Sequence, residues 1–220
     1  MLGTYRRAYA YLIKTRGLSQ QIVDYFVRDL KILYEEKEHH NLVFLGKDKD
    51  GIVRYATKRG TADIYGKKYR GDVAGNDKNY GINIVNEKST ELKVFEANID
   101  LMSYMDIKGD FESNKLVLGM TADNPLVQFL KDHPHIKKIT FCMDNDEAGM
   151  LAMFGNEEKA GLLKKYEMQG YETDTDTVPQ GIGCKDWNEY LIYKKNGQDI
   201  GRTEPIENHQ VEYSRKRKCR

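Results

Sequence analysis

The chain has 220 residues, room for one large domain or two small ones sharing a core. Hydrophobic residues make up 40% of it, normal for a soluble globular protein, and no run approaches the roughly 18 to 20 apolar residues that a membrane span needs. The formal net charge of +1 gives no general pull toward a polyanion, so any nucleic-acid contact has to come from local charge. The opening MLGTYRRAYAYLIKTRG lacks the apolar stretch and small-residue cleavage site of a secretion signal, and a cytoplasmic location is the default expectation. Cys142, Cys184 and Cys219 form neither an even set nor a close pair, which argues against a disulfide framework and a zinc ribbon. The histidines do not supply a zinc site in this reading. His39 and His40 are adjacent and diverge, while His133 and His135 flank Pro134 in a predicted loop.

In chain order, Tyr9, Leu12 and Ile13, then Ile22, Val23, Phe26, Val27 and Leu30, recur at helical spacing, with Gly17 as the break and Ser19 as N-cap of a second helix. From about Ile32 short β-forming runs follow: ILYEE, NLVFLG and IVRYAT, the last two joined by KDKDG with Asp50-Gly51 as the turn signal. Residues 58–78 are polar, glycine-rich and basic, and read as loop with one or two short strands. After Lys88 strands and helices alternate. LKVF (92–95) precedes NIDLMSYMD, KLVLGM (115–120) precedes PLVQFLKDH, and KKITFCM (137–143) precedes one long predicted helix from Glu147 to about Gln169. ETDTDTV (172–178), a glycine loop and the helical KDWNEYLIYKK complete the series. The pattern predicts an α/β fold, a parallel sheet flanked by helices, preceded by a smaller α+β domain. The expected divisions are 1–88, 89–200 and a flexible basic tail, 201–220, with the boundary near Asn86–Thr90.

Ligands of parallel sheets bind beyond the carboxyl ends of the strands, so acids just after strands carry the most weight. Glu96 follows strand 92–95, with Asp100 about one helical turn later. Asp144 and Asp146 follow strand 137–143 and, two apart in extended backbone, face one way. Asp186 opens the last helix after the Gly181/Gly183 loop. A lone Asp-x-Asp usually marks a solvated turn, and a Glu after a strand can simply cap a helix. Together, carboxylates converging on one edge repel each other unless a cation joins them, and an all-oxygen set favours magnesium or manganese over zinc.

FEANID with MDNDEAG resembles the toprim signature, an acidic residue after one strand and an Asp-x-Asp after a later one, and Gly119 matches the glycine that toprim domains place after the intervening strand. The resemblance is to the Rossmann-like toprim domain of primases, topoisomerases and some nucleases, and within it to the primase catalytic core. AYLIKTRGLSQQIVDYF is similar to the helical opening of that core, NLVFLGKDKDGIVRYATKRG to its strand–turn–strand, and KDWNEYL stands where primases carry Asp-Pro-Asp. The likeness spans roughly residues 9 to 192 and is nearest to primase-like toprim proteins of plasmids and other mobile elements of Gram-positive bacteria, whose N-terminal half has no settled function.

The resemblance implies that Glu96, Asp144 and Asp146 are catalytic, that Asp100 and Asp186 join them around Mg2+ or Mn2+, and that Glu96 serves as general base. Asn188 stands in place of the second late acid, which weakens a second metal site. Arg54, Arg59 and Lys78 lie where primases face template or nucleotide, interleaved with Tyr55, Tyr65, Tyr69 and Tyr80. Primases also carry a zinc module and a helicase-interacting domain, neither of which is read here; a partner or an upstream segment is the expected source of template grip. The implied partners are single-stranded DNA, nucleoside triphosphates and a replication or mobilisation protein. The leading expectation is magnesium-dependent nucleotidyl transfer on a template; a metal-dependent endonuclease and a non-catalytic nucleic-acid-binding module are the alternatives.

Overall fold

The computed structural model describes residues 4–62, 69–119 and 122–197. Tyr65, Cys219 and the basic tail 201–220 lie outside these residues. Helix α1 (Arg6–Tyr9) continues as a π-helix over Ala10–Thr15, and α2 (Gln20–Asp24) continues likewise over Tyr25–Asp29. Gly17 turns the chain between them at φ 70°, a conformation that costs other residues a Cβ clash. The Ser19 hydroxyl accepts the Ile22 N–H and so satisfies one free donor at the start of α2. Leu12, Leu18, Ile22, Val23 and Phe26 bury the apolar stripe of this pair.

The next four strands, β1 (Leu33–Glu35), β2 (Leu42–Lys47), β3 (Val53–Arg59) and β4 (Arg70–Asp72), form an antiparallel sheet in that order. Strand β2 alternates buried and half-buried residues, which points Leu42 and Phe44 into the core. In the β2–β3 turn, Asp48 accepts the backbone N–H groups of Asp50 and Ile52.

The second sheet holds β5 (Ile82–Ile84), β6 (Glu91–Phe95), β7 (Asn114–Val117), β8 (Lys138–Phe141) and β9 (Glu172–Thr175), in the order β5-β7-β6-β8-β9. Strands β6 to β9 are parallel; β5 is antiparallel to β7. Thus β5, on the N-terminal side of the expected boundary, is already an edge strand of this sheet. The crossovers are α3 (Asn98–Lys108), α4 (Asn124–Asp132), and α5 (Glu147–Phe154) with α6 (Leu162–Glu167); α7 (Trp187–Lys195) ends the described chain and packs on α3. β6 lies centrally with Leu92, Val94 and Phe95 fully buried, as expected for a strand covered on both faces.

The long helix predicted from Glu147 to Gln169 is instead two helices. Gly155, at φ 74°, ends α5, and a Cβ there would lie 2.2 Å from the Lys159 carbonyl oxygen. A Cβ on Gly161 would lie 2.2 Å from the Met153 carbonyl oxygen, so both glycines are needed for the chain to fold back on itself.

One apolar cluster joins the two sheets. Leu12, Phe26 and Phe44 belong to the same buried set as Phe95, Tyr104 and Trp187. A second cluster, including Leu126, Phe129, Met153 and Tyr166, fills the α4–α5–α6 side of the second sheet. Among the described residues, no helix is long and apolar enough to cross a membrane.

The shared cluster should make the halves unfold as a unit. Phe44→Ala removes a fully buried ring from the first sheet and should cost about 3 to 5 kcal/mol. Urea unfolding followed by fluorescence of Trp187, the sole tryptophan, which is buried in the second half, should shift to lower midpoint in that variant. An unmoved tryptophan transition would show that the halves are energetically independent.

Candidate metal centre and its cleft

The carboxyl ends of β6 and β8 open onto one sheet edge. Glu96 follows β6 directly and Asp144 lies shortly after β8; both are half-buried. The Asp144 loop is held from two sides. The Asn145 N–H donates to the Lys185 carbonyl at 2.6 Å, and Asn145 Nδ2 to the Val178 carbonyl at 3.1 Å. Gly149 makes the loop sterically feasible, since a Cβ there would sit 2.1 Å from the Asp144 carbonyl oxygen. Asp146 caps α5 by accepting the Gly149 N–H at 2.9 Å, and Asp186 caps α7 by accepting the Glu189 N–H at 2.7 Å. On the other side of β6, Gly119 at φ 76° donates its N–H to the Glu96 carbonyl at 3.1 Å.

These acids act on one another. Burial and then the charges of Asp100, Glu96, Asp186 and Asp146 push the Asp144 carboxyl up to about 8. Burial and Asp146 raise Glu96, against a smaller opposing pull from Lys185. Asp100, only 6% exposed, is raised by burial and by Asp186. Glu96 Oε2 and Asp144 Oδ1 are buried without a hydrogen-bond partner. Two orphaned, partly desolvated carboxylate oxygens amid other acids fit a hard divalent cation, which would satisfy both and relieve the repulsion. Among the described residues the tighter grouping, with one ligand atom from each residue within 4.8 Å of the others, lies elsewhere, at Glu87, His133 and His135.

A cleft runs from this edge to the first sheet. Lys58, Arg59, Arg70 and Tyr55 line one wall; Glu96, Asn98 and Gly119 line the other. Arg59 is fixed there by its Nε, which donates to the Tyr11 hydroxyl at 3.3 Å; Arg16 Nε donates to the same hydroxyl at 2.7 Å. The other two basic residues singled out from the sequence sit differently. Arg54 is paired with Asp48 at 2.7 Å and is not among the cleft-lining residues, while Lys78 pairs with Asp72 at the rim. Tyr55 lies in the cleft with its hydroxyl donating to Asp72 at 2.6 Å; Tyr69 is exposed on the first sheet's edge. Arg16, Lys58, Arg70 and Lys185 carry no sequence signal that separates them from ordinary surface cations; the first half reaches the second through α2 on α3 and β2 beside β5.

Asn188 has a defined task. It is 3% exposed, its Nδ2 donates to the Arg16 carbonyl at 2.8 Å and Ser103 Oγ at 3.0 Å, and its Oδ1 accepts from Arg16 Nη1 at 3.1 Å. Its backbone N–H donates to Asp100 at 3.2 Å. The residue that stands for the second late acid therefore ties α7 to α1 and α3.

Two outcomes follow. Asp144 keeps a proton in the fold that an unfolded chain would release above its ordinary value of 3.8, so without metal its contribution to stability falls as pH rises from that value through about 8. Magnesium should therefore raise the melting temperature more at about pH 8 than at about pH 6, and equal stabilisation at both would contradict this account. Gly149→Ala should lower manganese affinity roughly tenfold, read by titration calorimetry on protein whose circular dichroism is unchanged; wild-type affinity would mean that the Asp144 loop does not hold the ion.

Family models match in two parts: residues 10–88 fit a protein of unknown function, DUF3991, and residues 93–191 fit a toprim-like domain. The uncharacterized protein pXO2-78 of Bacillus anthracis is 30% identical over 206 residues, which cover 86% of this chain and 57% of that protein. The chain thus spans little more than half the length of this curated relative. Among solved structures, the primase fragment of the bacteriophage T7 primase-helicase aligns with a TM-score of 0.56 at 17% identity, over 84% of this chain and 70% of that one. The Escherichia coli primase catalytic core aligns at 0.54 and 18%, over 86% and 69%, and the DnaG primase catalytic domain bound to single-stranded DNA at 0.52 and 17%, over 88% and 68%. The chain is a toprim-domain protein with a DUF3991-type N-terminal domain, built on the fold of primase catalytic cores.

Proposed function

We propose that this protein is a primase-like nucleotidyltransferase acting in the cytoplasm on the DNA of a mobile element. In this reading residues 1–88 supply the basic wall of the cleft, residues 89–200 supply the acidic wall, and template and nucleotide lie between them. The observation that carries it is the cleft itself, with Arg59 and Arg70 facing Glu96 across the gap between the two sheets. A single-sign pocket would suit a cation or an anion alone; opposed walls suit a triphosphate whose charge is shared between arginines and a metal.

Glu96, Asp144 and Asp146 would hold Mg2+ or Mn2+, with Asp100 and Asp186 behind them. When bound, the ion supplies charge neutralisation at the phosphoryl oxygens and the leaving pyrophosphate. The remaining tasks belong to the protein. Arg59 is oriented by Tyr11 and positioned to pair with phosphate oxygens. Arg70 extends the positive wall toward a template strand, a contact that weakens steeply with salt, while Lys58 beside it is paired with Glu36 at 2.6 Å. Glu96, whose carboxyl is raised by burial and Asp146, would take the proton of an attacking hydroxyl. Arg54 and Lys78, each already paired with an aspartate, would contribute at most at the outer edge of the template path.

One observation favours a second reading, a non-catalytic nucleic-acid-binding module. Asn188 is fully engaged in binding the halves together and brings no charge to the acidic edge. The assay that separates the readings offers single-stranded DNA and ribonucleoside triphosphates with magnesium or manganese. Primer products are expected, abolished in Asp144→Ala and reduced roughly a hundredfold in Arg59→Ala. Cleaved template would instead support the endonuclease, and binding with neither product would support the module.

A further inference from the structure

The tightest grouping of ligand-type side chains among the described residues is not at the acidic edge. Glu87 follows β5, and His133 and His135 lie between α4 and β8. Because β5 runs antiparallel to β7, its end lies beside the start of β7, and His135 precedes the start of β8. The grouping therefore occupies the amino-end edge of the parallel strands, opposite Glu96 and Asp144. From the geometry we infer that Glu87, His133 and His135 form a second metal site, one for a borderline transition ion, of which Zn2+ is the natural occupant.

Three features carry this. His133 Nδ1 lies 3.4 Å from one Glu87 oxygen and His135 Nδ1 lies 3.7 Å from the other. Around zinc, with nitrogen and oxygen ligands at about 2.0 to 2.1 Å, neighbouring tetrahedral ligands stand roughly 3.3 Å apart, so the three groups need only a small adjustment to close on one ion. Next, His133 is 5% exposed and set against Phe129 with ring centroids 4.4 Å apart. A ring fixed this way is preorganised for a ligand. Last, two imidazoles and one carboxylate are the donor set that selects zinc, nickel or copper over magnesium. Glu87 and His133 also line a groove with Lys47, Lys49 and Asn83, through which the grouping is open to solvent. A bound ion would clip the segment that links the two sheets to the loop before β8.

The test uses the full chain, stripped by chelation and titrated with Zn2+ alone by calorimetry and with Co2+ alone by visible absorption. Wild-type protein should bind one Zn2+ and give the intense visible bands of four-coordinate Co2+. His135→Ala and Glu87→Gln should each weaken Zn2+ binding roughly tenfold or more, while Asp144→Ala retains it. Glu87 is exposed, so Glu87→Gln reports on ligation even if the histidine variant folds poorly. Wild-type Zn2+ affinity in a Glu87→Gln/His135→Ala double variant, loss of binding in Asp144→Ala instead, or no binding with zinc in excess would overturn the assignment.

Discussion

Carboxylates that cannot all remain charged in one place set the terms for the rest of this molecule. Asp144, Glu96 and Asp100 are each raised by burial and by a neighbouring acid (Asp144 by Asp100 and Glu96, Glu96 by Asp146, Asp100 by Asp186), and Glu96 Oε2 and Asp144 Oδ1 are buried without a donor. A fold tolerates such a conflict only where the surrounding structure is rigid enough to hold it. Here the rigidity comes from the covered strand β6, from the cap bonds of Asp146 and Asp186, and from Asn145, which fastens the Asp144 loop to the segment before α7.

The second requirement is opposite charge at a distance set by packing. Arg16 and Arg59 share the Tyr11 hydroxyl and both lower the Asp100 carboxyl, so the first half of the chain acts electrostatically on the second. That interaction depends on the shared apolar cluster. If Leu12, Phe26 and Phe44 did not pack with Phe95 and Trp187, the basic wall would have no fixed relation to the acidic one. Packing in this protein thus determines which charges meet, and the cleft is a consequence of the core.

Much of this was legible in the sequence, for reasons that can be named. The strands before Glu96 and Asp144 are short β-forming runs closed by turn residues, and their alternation with helices defines the parallel sheet and its carboxyl edge. Ser19 and Gly17 carry their local roles on their identity. The break between α5 and α6 was not legible, because glycine in a helical pattern is only a weak signal; the close approach of Gly155 and Gly161 to neighbouring carbonyls exists only after folding. The same holds for charge. Arg54 and Arg16 look alike in sequence, yet one is absorbed by Asp48 within its own hairpin and the other reaches α7. Nor could the histidines be read: His133 and His135 gain their partner, Glu87, only through the antiparallel placement of β5.

Asn188 connects these threads. An aspartate at that position would put a buried carboxylate against Arg16 and Ser103. As asparagine it donates to the Arg16 carbonyl and to Ser103 while still accepting from Arg16, which a carboxylate cannot do. The asparagine is a neutral bracket between the turn at Arg16, α3 and α7. Hydrogen bonds from one uncharged side chain thus hold the two halves in register beside the crowded carboxylates.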